Sequence, residues 1–311
     1  MTLPLDGATP HLATDLPIPP CSDQSLARDE PLFATASLGF AWLLLEMEGP
    51  WGHSAFMQSP RILDRDLGRA IVRRAEAASM RIVAIRRPGR RSATPRWRWF
   101  IAQTRPQGSV LYQGEVAGPQ DYLDIPLDGS AGVRVDGPLT AVCAHGKHDR
   151  CCAVRGRGAA AALVAHDPEN TWECSHLGGD RFAATMVVLP EGLSYGRIDT
   201  ADPVDLLTRY ADGRVHERFL RGRTCVSHAV QAAEHYLRDA TGDDRIEAFT
   251  TLDVEEAGDR VRVSLAVAQG SRCTVSLRVV MSEPLLSTCD ARIPGSVRRF
   301  ELESLDFDDP A

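Results

Sequence analysis

The chain has 311 residues, with 35 Lys and Arg against 42 Asp and Glu and a formal net charge of −7. That length allows two or three domains, and the acidic balance argues against a general nucleic-acid binder, which would be basic. The longest apolar run, near Phe40–Leu45, is strand-sized rather than membrane-spanning, and no basic-then-apolar leader opens the chain, so a cytoplasmic protein without a membrane partner is expected. Thiols stay reduced there, so clustered cysteines point to metal or redox groups rather than to structural disulfides.

Residues 1–30 hold several prolines and small polar residues without periodicity, and are expected to form a flexible arm. Order should begin near Ala34, where SLGFAWLLLEMEG reads as a buried strand ending in a Gly-Pro breaker. Pro60–Ala78 places Ile62, Leu63, Leu67, Ile71 and Val72 near helical spacing. Arg81–Arg86 alternates like a strand and stops at Pro88-Gly89, and Trp97–Thr104 and Ser109–Val116 are two further strands. Together these predict an N-terminal α/β domain over residues 31–135.

A second unit, residues 138–224, follows Asp136-Gly137-Pro138. Its predicted elements are a strand at Leu139–Cys143, a helix at Ala153–Ala165 and a strand at Thr171–Cys174. A hairpin of Ala184–Pro190 with Leu193–Ile198 and a closing helix at Pro203–Tyr210 complete it. The order β-α-β-β-β-α fits a small thioredoxin-like α/β fold. Residues 225–305 read as an α+β region, with a helix at Ser227–Ala240 and strands at Ile246–Glu255, Arg260–Ala268 and Cys273–Met281. The acidic tail after Glu303 is expected to be loose, and no internal repeat is visible.

Leu139–Ile198 gathers four of the eight cysteines and four of the nine histidines. Soft and borderline donors crowded in this way suggest a metal centre. A 2Fe–2S cluster needs four protein ligands, two per iron, usually thiolates and sometimes imidazoles. Cys143 and Cys152, eight residues apart on one loop, would supply the first pair, and Cys152 gains from the positive end of the following helix. His176 and Asp180, joined by Leu177-Gly178-Gly179, would supply the second, the glycines letting the backbone close tightly. Buried thiols and surface histidines without a metal are the plain alternative.

The stretches VCAHGKHDRCCAVRGR, WECSHLGGDRFAATMVVLPEGLSYGR and FLRGRT, with WLLLEMEGPWG and IRRPGR upstream, resemble the sucrase/ferredoxin-like family over roughly residues 34–224. The resemblance implies a thioredoxin-like ferredoxin domain whose 2Fe–2S cluster is held by a C-x8-C pair and a later pair spaced by three residues. Carried onto this chain, those positions are Cys143, Cys152, His176 and Asp180. Many members of the family have histidine where this chain has Asp180. Three readings follow: direct ligation by the carboxylate, substitution by Cys174, or a degenerate site with a labile or missing cluster. Direct ligation is preferred, because carboxylate is an acceptable iron ligand at the required position. An anionic carboxylate should set the midpoint potential below that of a His/His relative.

The function so implied is single-electron transfer with a flavoprotein or oxidoreductase, without substrate chemistry of its own. A redox or iron sensor with a labile cluster is one alternative, and a structural zinc protein using the same four residues is another. Neither C-x-x-C nor a Walker A motif is present, and no carboxylate pair suggests a hydrolase. Cys151 reads as structural and Cys174 as a strand thiol. His145 and His148 read as solvated loop residues, and Cys21, Cys225, Cys273 and Cys289 as scattered and inert. Trp42 and Trp51 read as core; Arg150, Arg155 and Arg157 either offset cluster charge or form a solvated face, and Arg86–Arg91 is an exposed basic turn.

Overall fold

The computed structural model describes residues 19–89, 95–267 and 271–308. Most of the arm, and Arg90 and Arg91 of the basic turn, lie outside the described residues. The part of the arm that is described corrects the expectation of an extended chain: Cys21–Ala27 is a helix, α1. It carries no apolar stripe; Cys21, Ser22 and Ser25 are its buried residues, so tertiary contacts rather than amphipathicity hold it.

β1 (Ala41–Glu46) is the buried strand expected near Phe40, apolar on both faces because it lies inside a sheet. α2 (Arg65–Ala77) follows, capped by the Asp64 carboxylate, which accepts from the amides of Asp66 and Leu67. β2 (Arg81–Arg86) returns parallel to β1. β3 (Trp97–Gln103), β4 (Val110–Val116) and the short β5 (Val133–Val135) extend the sheet antiparallel from the other side of β1.

The second unit repeats that plan. β6 (Leu139–Cys143) leads through α3 (Arg157–Val164) to the parallel β7 (Thr171–Cys174). β8 (Met186–Leu189) pairs antiparallel with β6, and β9 (Leu193–Tyr195) with β8. After α4 (Pro203–Ala211), β10 (Leu220–Arg223) pairs with β9. The units expected on either side of residues 136–138 meet edge to edge, because β2 pairs antiparallel with β7 through Ile85–Cys174 and Arg86–Glu173. One sheet of ten strands results, ordered β10-β9-β8-β6-β7-β2-β1-β3-β4-β5.

The C-terminal part is α+β, as the sequence suggests. α5 (His228–Thr241), capped by Ser227, packs on an antiparallel sheet of β11 (Thr250–Ala257), β12 (Arg260–Ala266), β13 (Arg272–Met281) and β14 (Arg298–Phe307). β14 corrects the expected loose tail: Phe300 points into the core while acidic residues of RRFELESLDF stay exposed on an edge strand. Among the described residues, no helix is long and apolar enough to cross a membrane.

Candidate metal centre

The parallel strands β6 and β7 end side by side, with Cys143 in register with Cys174. From there the chain loops through residues 144–149 and re-enters helix at Arg150. Cys152–Gly156 is a wide π-helical turn ahead of α3, where a regular helix from Ala153 was expected. Such turns insert a residue into the helical ladder and recur at functional sites. Gly156 allows the turn to lie against the end of β6: a Cβ there would stand 1.9 Å from the Cys143 carbonyl oxygen. Cys152 is thereby brought near Cys143, and both thiols are buried, each shifting the ionisation of the other.

His176 and Asp180 are set by the turn after β7. Gly178 and Gly179 have φ of +89° and +83°, a left-handed pair that bends the chain so that both side chains face inward. The turn is held from below by two arginines. Arg81 donates to the Leu177 carbonyl at 2.8 Å, and Arg221 to the Gly178 carbonyl at 2.8 Å. Arg221 also fills the space that a Cβ on Gly179 would occupy.

Three of the four expected donors, Cys152, Asp180 and His176, are linked by contacts. The Cys152 thiol donates to Asp180 Oδ1 at 3.2 Å, and the same oxygen lies 3.1 Å from His176 Nδ1. Cys143 stands near Cys152, and its thiol makes no side-chain hydrogen bond among the described residues. Cys174 stays fully buried in β7, its thiol in no hydrogen bond among the described residues, and burial pushes its pKa well up.

The electrostatics follow from burial with few partners. The nearby Cys152 lowers the Cys143 thiol, and the nearness of Cys143, with burial, raises Cys152. Burial alone would raise the Asp180 carboxyl, but His176, the Cys152 thiol and His148 hold it below its usual range. His176 is raised because the Asp180 contact outweighs its own burial. Beneath them, burial lowers Arg81 to about 10 and Arg221 to about 9, so both remain cations near neutral pH.

Two readings of the histidines are corrected. His145 is buried, its Nε2 2.6 Å from the Gly52 carbonyl and its ring edge-on to Trp51. His148 lies with its ring 3.9 Å from His176 and its Nε2 3.6 Å from Asp180 Oδ2. His148, His176 and Asp180 therefore offer three donor atoms within 4.8 Å of one another. With the exposed His53, whose ring is 5.2 Å from His148, they form a file of imidazoles from the surface to Asp180. Sequence spacing gave no sign of His53 or Arg81, which come from the first unit; Arg221 stands in the FLRGRT stretch.

Trp42 and Trp51 are core residues, capped by Arg81 and Arg86 respectively. Arg155 forms ion pairs with Asp23 and Asp199 rather than facing the donors. Cys225 and Cys273 are core residues of the C-terminal part. Cys151, Cys21 and Cys289, read as structural or inert, meet one another in a separate cluster. Residues 35–222 match a family model described as sucrase/ferredoxin-like. No curated protein and no solved structure matches the chain.

Proposed function

The chain belongs to the sucrase/ferredoxin-like family, and on that premise we propose that it is an electron carrier holding a 2Fe–2S cluster on Cys143, Cys152, His176 and Asp180. The observation that carries this reading is the contact chain from Cys152 through the buried Asp180 to His176, with the buried Cys143 near Cys152. Two thiols on one side and an imidazole with a carboxylate on the other are two ligand pairs, as two irons require. The order β7-β6-β8-β9, one parallel pair flanked by antiparallel strands, supports the thioredoxin-like reading of this unit.

When bound, the cluster supplies reversible one-electron chemistry. The residues of the chain do the rest. Asp180 is kept ionised, the state a ligand needs. Arg81 and Arg221 offset the negative charge of two thiolates and a carboxylate. His176, at the outer edge of the set, faces the side from which a redox partner protein, a flavoprotein or oxidoreductase, would approach.

A second reading has its own observation. His148 is close enough to His176 and Asp180 to serve as the second imidazole, leaving Asp180 to orient the pair. Anaerobically purified protein, examined by visible and paramagnetic-resonance spectra with Asp180→Ala and His148→Ala alongside, separates the two. Direct ligation predicts a brown-red wild type, a bleached or shifted Asp180→Ala protein and an unchanged His148→Ala protein. A colourless wild type containing zinc instead of iron would overturn the reading.

A further inference from the structure

Three thiols and a carboxylate from distant parts of the chain converge next to the donor loop. Cys21 comes from α1, Asp149 and Cys151 from the loop before the π-helical turn, and Cys289 from the long connection between β13 and β14. The sulfurs form a triangle with sides of 3.6 Å (Cys21–Cys151), 3.2 Å (Cys151–Cys289) and 3.6 Å (Cys289–Cys21). Asp149 Oδ2 stands 3.8 Å from Cys21 Sγ. All four donor atoms lie within 4.8 Å of one another, and Cys21, Asp149 and Cys151 are buried.

From this we infer that Cys21, Cys151, Cys289 and Asp149 form a second, mononuclear site for a thiophilic divalent cation, Zn²⁺, separate from the cluster ligands. The inference does not depend on the cluster reading.

The size of the triangle decides the kind of metal group. Thiolates about 2.3 Å from one tetrahedral zinc lie roughly 3.8 Å apart. The observed sides are near that value, and Cys151 and Cys289 need part by only about half an ångström. Sulfurs that each bind a different iron of a cluster must stand further apart, so one ion suits this triangle better.

The carboxylate is already oriented. The Cys151 amide donates to Asp149 Oδ1 at 2.7 Å and the Cys289 amide to Oδ2 at 2.7 Å. Each oxygen keeps a free lone pair, so a metal bond and an amide bond are compatible. Around the sulfurs, Ser22 donates to Cys151 Sγ at 3.2 Å and is itself held by Arg155 Nε at 3.1 Å. A supporting shell of that kind fixes thiolate ligands and tempers their charge. A cavity of about 440 Å³, lined in part by Ser22, Asp23, Cys151 and Arg155, gives the ion a route in.

The chain path is consistent with a clasp. The β13–β14 connection is closed by the Leu285–Gly295 bridge, and its turn carries Cys289 back to Asp149. Loading is a substitution without redox: three S–H bonds break, three metal–sulfur bonds form and three protons leave to solvent. Because Cys151 adjoins Cys152, the ion would fix the turn that presents a cluster ligand. It would also tie both ends of the described chain to that turn.

The test is metal analysis of the full-length protein, reduced, incubated with zinc and then dialysed against a mild chelator. About one zinc per chain is expected in the wild type and in Cys143→Ser/Cys152→Ser, falling at least tenfold in Cys21→Ser/Cys289→Ser. Cobalt loading of Cys143→Ser/Cys152→Ser provides a readout that leaves the second site intact. Intense thiolate-to-cobalt bands with tetrahedral visible bands are expected. Less than about a tenth of a zinc in the wild type, full zinc in Cys21→Ser/Cys289→Ser, or a Cys151–Cys289 disulfide in anaerobically purified protein would overturn the assignment.

Discussion

The ten-stranded sheet is two five-stranded halves of one design. In the first, β1, α2 and β2 make a parallel unit, with β3, β4 and β5 added antiparallel; in the second, β6, α3 and β7 are followed by β8, β9 and β10 in the same order. The halves join where β2 runs antiparallel to β7. What differs is the end of the first strand and the turn after the second. β1 ends on Glu46, buried and gripped by Arg98 at 2.6 and 2.8 Å, whereas β6 ends on Cys143 beside Cys152. β2 runs into Arg87-Pro88-Gly89, whereas β7 runs into the glycine-hinged turn with His176 and Asp180. The same scaffold positions hold an internal ion pair in one half and a donor set in the other. Architecture supplies the place, and the residues at the strand ends supply the chemistry.

The largest expected effect breaks that comparison outright. Cys152→Ser should abolish visible absorption of the purified protein. Met47→Leu, at the buried residue that follows β1 in the first half, should leave absorption intact and cost less than about 1.5 kcal/mol in urea unfolding. Absorption lost equally in both proteins would mean that the halves are not chemically distinct.

A matched pair of glycines sharpens it. A Cβ on Gly68 would stand 2.0 Å from the Phe56 carbonyl oxygen, as one on Gly156 would crowd that of Cys143. Gly68→Ala and Gly156→Ala should each destabilise by about 1–3 kcal/mol through overpacking. Only Gly156→Ala should also lower iron content, measured per folded chain.

The smallest effect is on pH. Burial lowers His145 to about 4 from its ordinary 6.5. Between those values the unfolded chain takes up a proton that the folded chain refuses, so stability falls as pH drops through that window. His145→Gln, which keeps a donor for Gly52, should flatten this slope in melting curves recorded across it.

Much of this arrangement was legible in the sequence. The strands from Ala41 to Tyr195 other than the three-residue β5 show as apolar or alternating runs, and the C-x8-C and x3 spacings include Cys152, His176 and Asp180, which the fold links by contacts. The joining of the halves was not legible, because the β2–β7 pairing rests on two residue pairs about 90 positions apart in sequence, with an Arg86–Glu173 ion pair between them. The repeat was hidden because it lies in connectivity rather than in residues. α1 lacked an apolar stripe to signal it, and β14 carries too many charges to look like a strand. The Cys21–Cys151–Cys289 cluster unites cysteines 130 to 268 residues apart, a closeness that only tertiary folding creates.

The most direct test of the central claim is pulsed paramagnetic resonance of the reduced, anaerobically purified protein. If Cys143, Cys152, His176 and Asp180 hold one pair of irons, the two-iron signal should couple to a single histidine nitrogen, and Asp180→His should add a second. A two-nitrogen pattern in the wild type, or no two-iron signal in protein that contains iron, would contradict it.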